Sequence, residues 1–74
     1  MNTTLTFPDG RTMRTGSRCR YLVALAPTAD MRGYLEARSD SVHTALARAR
    51  RARHRVGHFR AVYVFDRTTG EIIT

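Results

Sequence analysis

A chain of 74 residues has room for one domain and one core, and a domain this small buries only about 60% of the surface its unfolded chain exposes. Thirteen Lys and Arg residues against six acidic ones give a formal net charge of +7, and all thirteen are arginine. The single cysteine, Cys19, excludes an intrachain disulfide, and no apolar run approaches the roughly 20 residues that span a bilayer.

Met1 to Thr74 reads as one domain, without repeats or a Gly/Ser-rich linker. Residues 1–16 predict an N-terminal hairpin. Leu5 and Phe7 alternate with threonines, as on a half-buried strand. Pro8-Asp9-Gly10 supplies the turn, with proline fixing φ and glycine taking the positive φ. Gly16-Ser17 breaks the chain before the core, residues 18–74.

Arg18 to Ala26 predicts a strand, with Cys19, Tyr21, Val23 and Leu25 on one face and Arg20, Leu22, Ala24 and Ala26 on the other. Its apolar part, Tyr21 to Ala26, is too short and too far from the N-terminus for a signal peptide. Pro27 ends it. Residues 33–38 fit a strand better than a helix, with Leu35 and Ala37 inward and Tyr34, Glu36 and Arg38 outward.

Residues 41–56 predict a helix. Ser39 or Asp40 serves as its cap. Val42, Ala45, Leu46, Ala49, Ala52 and Val56 recur at spacings of three and four and form one narrow apolar stripe. Its small side chains let the helix lie close to a sheet. Gly57 is placed to stop it. Phe59 to Asp66 then predicts a strand by its β-branched and aromatic content, with Phe59, Ala61, Tyr63 and Phe65 on one face and Arg60, Val62 and Val64 on the other. Arg67-Thr-Thr-Gly70 makes a turn into a short last strand, residues 71–74. The fold class is α+β: a two-layer ββαββ antiparallel sheet with one Arg/Ala-rich helix on one face, plus the N-terminal hairpin.

The two long strands are apolar on both faces, which implies burial on both sides. One helix covers one face. The hairpin, through Leu5, Phe7 and Met13, or a second subunit must cover the other. Tyr21, Tyr34, Tyr63 and Phe65 are the candidate protein-interface residues of the second case.

The arginines carry the strongest functional signal. Arg48, Arg51 and Arg55 are expected opposite the apolar stripe, and Arg50 on a flank near His43 and His54. Arg53 is expected near the buried edge, snorkelling or paired with a carboxylate. Arg48, Arg50, Arg51 and Arg55 are thus candidate phosphate contacts, of the kind that give sequence-independent, salt-dependent affinity. A solvated helix face in a chain shaped by GC-rich codons is the competing reading of the same residues. Base-reading motifs are not recognisable. Aromatic residues on the strands (Phe59 among them) beside Arg20 and Arg60 could stack bases, but core packing is favoured for them.

Other chemistry is sparse. His54 and His58 have the i, i+4 spacing of a helical zinc pair, but Gly57 interrupts them and no further ligand is close in sequence. Cys19 reads as a small packed side chain rather than a reactive thiol. The acidic residues fall mostly at turns and caps, and no nucleophile–base arrangement or glycine-rich phosphate loop is present. These features predict no catalytic residues, no metal and no cofactor.

The cadence from Arg20 to Thr74 is a strand pair, an Ala/Arg-rich helix, Phe59-Arg-Ala-Val-Tyr-Val-Phe-Asp66, then Arg67-Thr-Thr-Gly-Glu-Ile-Ile73. It resembles small orphan proteins of actinobacteria and their phages, which often close with an Asp-x-x-Thr-Gly-Glu turn and a short strand. The absence of lysine agrees with that origin. The resemblance implies an accessory protein and carries over no site residue. The expectation is a non-enzymatic, cytoplasmic binder of an acidic partner, most simply nucleic acid. The alternative is a protein–protein module that binds a host protein or forms a homodimer.

Overall fold

A computed structural model describes residues 2–74; Met1 lies outside them. The element order is β1 (Thr3–Thr6), β2 (Thr12–Thr15), β3 (Tyr21–Leu25), β4 (Tyr34–Ser39), α1 (Val42–Val56) and β5 (Val62–Asp66). β3 is the central strand of a three-stranded sheet, antiparallel to β4 on one side and β5 on the other, while β1 and β2 pair only with each other. The class is α+β, as the pattern of elements predicts.

The sheet has a cover on each face. On one side Val23 and Leu25 of β3 and Val62 and Val64 of β5 meet Ala45, Ala49 and Ala52 of α1. Alanine at these three positions presents only a methyl group to the sheet, with Leu46 and Val56 packed at the edge of the same cluster. On the other side Leu22, Ala24 and Phe65 meet Leu5 and Phe7 of the hairpin. The Phe7 ring stands nearly perpendicular to Phe65, with centroids 5.2 Å apart, the edge-to-face arrangement that aromatic quadrupoles favour. The hairpin, and not a second subunit, therefore seals the second face.

That result removes most of the expected protein interface. Phe65 is completely buried. Tyr63 is half-buried, with its ring 5.8 Å from that of Phe7. Tyr21 is half-buried against the helix-side core. Only Tyr34 of the four is exposed, at 57%. Tyr63 and Phe65 of β5 belong to the core because the hairpin supplies the apolar layer they need.

Strand β4 departs from simple alternation. Val23 pairs with Ala37 and Ala24 with Leu35, so Glu36 is an extra residue without a partner. Such a bulge reverses the side-chain phase. Leu35 consequently packs on the hairpin side and Ala37 on the helix side, not on a common face as strict alternation predicts. Glu36 is turned toward the helix, where it pairs with Arg55.

Several boundaries also shift. Ser41, rather than Ser39 or Asp40, caps α1: its hydroxyl accepts from Thr44 N–H at 3.4 Å. Ser39 and Asp40 brace the approach instead, accepting from the N–H groups of Ser41 (3.0 Å) and Arg20 (2.9 Å). Gly57 ends the helix at φ 60°, which a Cβ would strain, and its N–H returns to the Arg53 carbonyl at 3.0 Å. β5 starts at Val62, not Phe59, because the chain needs residues 57–61 to return from the helix to the sheet. Phe59 is left 90% exposed. Cys19 packs on the hairpin side, opposite to Tyr21, since it precedes β3 in a bend. The last residues run beside β5 through a single bridge, Phe65 to Ile72, with Ile73 N–H donating to Val64 O at 2.7 Å, rather than as a full strand.

The helix–sheet contact is testable. Ala49→Leu forces a larger side chain where Ala49 is fully buried. Overpacking of this kind costs about 1–3 kcal/mol. Urea unfolding should show a lower midpoint at an unchanged slope.

Candidate nucleic-acid interface

The arginines divide by what their guanidinium groups reach. Four reach backbone carbonyls: Arg11, whose Nη1 donates to Pro27 O at 3.4 Å, and three that have no carboxylate partner. Arg53 donates to Val62 O through Nε (3.3 Å) and Nη2 (2.8 Å), tying the helix to the start of β5. Arg60 donates to Ala26 O through Nε (3.2 Å) and Nη2 (3.0 Å), and also reaches the Arg32 carbonyl. Arg67 donates to Cys19 O and Arg18 O, each at 2.9 Å. Each fork satisfies carbonyls that no strand partner reaches.

Three pair with carboxylates, Arg11 again among them. Arg55 pairs with Glu36. Arg11 lies 3.7 Å from Asp9. Arg20 donates to Asp66 Oδ2 at 3.2 Å and sits 5.2 Å above the Tyr21 ring. Asp66 also accepts at Oδ1 from Thr68 N–H (3.0 Å) and Thr68 Oγ1 (2.6 Å), which shapes the turn into the last residues. The Thr68 hydroxyl, then Arg20, lowers the Asp66 pKa below the ordinary aspartate value. The same pair holds the Arg20 guanidinium more firmly protonated.

The remaining seven, Arg14, Arg18, Arg32, Arg38, Arg48, Arg50 and Arg51, are exposed and donate to no partner among the described residues. Three of these lie within one turn of α1. Of the four expected phosphate contacts, Arg48, Arg50 and Arg51 are therefore unpaired, while Arg55 is engaged internally. Their placement differs in part from expectation. Arg48 and Arg55 border a furrow with Glu36 and Ala37, so they stand on the flank leaning over β4 and not opposite the stripe. Arg51 lies between that flank and the one carrying Arg50 and His54. At 100° per residue, positions 48 and 55 fall about a quarter turn from the buried alanines. The three unpaired groups thus span a broad arc of the helix rather than one narrow line.

No acidic residue lies within the helix itself, so nothing on that element offsets its charge. Its last turn carries Arg53, His54 and Arg55 against the negative end of the macrodipole.

Just past Gly57 the exposed Phe59 stands at the same end of the molecule as the β1–β2 turn and the loop after β3. Together they border a depression of about 340 Å³, lined by Phe7, Pro8, Pro27, Phe59 and Tyr63 with Arg11 at its rim. The aromatic and β-branched pattern predicts Phe59 as the first residue of a strand, packed in the core, but it lies before β5 and is exposed. The short distance from the Gly57 stop was the one available signal against that. His54 and His58 are both exposed, and Gly57 ends the helix between them. Among the described residues no three His, Cys, Asp or Glu side chains are grouped as metal ligands, and no helix is long and apolar enough to cross a membrane.

No protein-family model matches this chain, and comparison with curated proteins and with solved structures finds no match.

The Asp66 cluster gives a pH prediction. A carboxyl whose folded pKa is lowered adds stability that is full above its unfolded pKa of about 3.9 and is lost as pH falls through the folded value. Asp66→Asn should lower thermal stability near neutral pH and shrink the gap to wild type as pH drops below about 4. Melting curves from pH 7 to 2 report this.

Proposed function

We propose that this protein is a small, non-enzymatic nucleic-acid-binding protein that holds phosphates with the α1 arginines. Arg48, Arg50 and Arg51 are the contacting residues, and Arg55 a lesser member because Glu36 competes for it. In keeping with the resemblance of its sequence, we place it in the cytoplasm, as an accessory protein of an actinobacterium or its phage.

The observation that carries the reading is the partition of the arginines. The fold uses Arg53, Arg60 and Arg67 on carbonyls and Arg20 and Arg55 on carboxylates. A chain merely rich in arginine has no need to cluster three unused ones on a helix that contains no acidic residue, where the one carboxylate that leans on it, Glu36, is taken by Arg55. The guanidinium fork matches phosphate oxygens, and release of condensed counterions supplies the affinity. The non-enzymatic reading draws on the carboxylates. Asp9, Glu36, Asp40 and Asp66 are each engaged in a turn, a backbone brace or an ion pair.

Binding to generic oligonucleotides at about 50 and 200 mM salt tests this. Affinity should fall steeply between the two. The triple variant Arg48→Glu, Arg50→Glu, Arg51→Glu should lose most binding. Arg48→Ala, Arg50→Ala, Arg51→Ala should reduce the salt slope by about 2–3, since each phosphate contact contributes roughly 0.7–0.9. All three positions are exposed, so both variants should retain the wild-type circular dichroism spectrum. Absence of binding at low salt, or binding unaffected by either variant, overturns the proposal.

A further inference from the structure

We infer that Phe59 is a stacking platform for an unpaired base, so that the nucleic acid held by α1 is single-stranded. The inference rests on the phosphate-binding reading above and goes beyond it by naming the class of nucleic acid.

A phenylalanine at 90% exposure has given up the burial that ordinarily stabilises such a side chain. Its backbone is not loose: Phe59 N–H donates to Val56 O at 3.3 Å, and the next residue, Arg60, is clamped to Ala26 O. The ring is therefore presented from a braced turn. Beside it lies the depression, where Phe7, Pro8, Pro27 and Tyr63 share the lining with polar groups, Asp9, Arg11 and His58 among them. At about 340 Å³ it is in the size range of small-ligand sites.

The arginines supply the other half. Helix rise puts Arg50 about 9 Å along the axis from Val56, where the turn holding Phe59 begins. His58 and Arg60 line the depression with Phe59, while Arg11, also in the lining, is held by Asp9 and the Pro27 carbonyl. A strand whose phosphates lie along α1 can thus reach the end of the helix and set a base on Phe59. Paired bases in a duplex keep their faces stacked on one another and cannot offer one to an aromatic ring, whereas single strands can. An apolar ring beside cationic groups fits a polyanion with exposed π-faces better than it fits a wholly apolar partner.

Phe59→Ala and Phe59→Trp test the inference, with oligodeoxythymidine as the single strand and a mixed-sequence duplex of equal charge. The protein has no tryptophan, so the indole of Phe59→Trp is the sole one. Its fluorescence should be quenched by the single strand and little changed by the duplex. Phe59→Ala should weaken single-strand binding roughly 5- to 100-fold, the effect expected for one lost base stack, and leave duplex binding unchanged. Single-strand affinity untouched by Phe59→Ala, while the helix-arginine variants still abolish it, overturns the stacking inference and leaves the phosphate reading standing. Failure of both nucleic acids to bind at low salt overturns both readings. Self-association of the free protein that Phe59→Ala abolishes also overturns the inference, since the ring would then serve a second copy of the chain.

Discussion

The structure depends on the double burial of β3. Leu22, Val23 and Ala24 are inaccessible to solvent in succession, so this strand needs an apolar cover above and below. A 74-residue chain has few residues to spend on two covers. It meets one with a helix whose fully buried contacts are alanines, and the other with two four-residue strands at the N-terminus. The covers differ in kind: α1 meets the sheet with alanine methyl groups, while the hairpin reaches down with Leu5 and Phe7.

Once both faces are sealed, little apolar surface remains for function, and the arginines divide the remaining work. Those near strand ends close the gaps where a small sheet leaves carbonyls without partners: Arg53 at β5, Arg60 after β3, Arg67 at the bend before β3. In a larger domain further strands or helices would supply those hydrogen bonds. A long side chain with five donors supplies them here within very few residues. Arg48, Arg50 and Arg51 have no such duty, which distinguishes them physically from the rest although composition treats all thirteen alike.

Much of this was legible in the sequence. The helix and its alanine stripe follow from spacing, Gly57 from its place after the last apolar position, and the hairpin from the Pro8-Asp9-Gly10 turn. The doubled apolar pattern of β3 and β5 announced two covers, but which element provided the second is a tertiary fact that no local pattern contains. The bulge at Glu36 was hidden for the same reason: an extra residue is visible only against the partner strand. Of the candidate site, Arg48, Arg50 and Arg51 were legible as a charge cluster. The engagement of Arg55 depends on that bulge turning Glu36 toward the helix. Phe59 was misplaced because aromatic content argues for a strand, while the span needed to leave the helix argues against one, and only the second consideration is geometric.

The irregularity in β4 has a further effect. With β5 flanked by residues 71–74, β4 is the exposed margin of the three-stranded sheet. An incoming strand would need a regular series of amide donors and acceptors, and the unpaired Glu36 breaks that series near its middle. The neighbouring ion pair adds charge at the same spot. A small domain that leaves one margin open is thereby guarded against zipping into ribbons with its own kind.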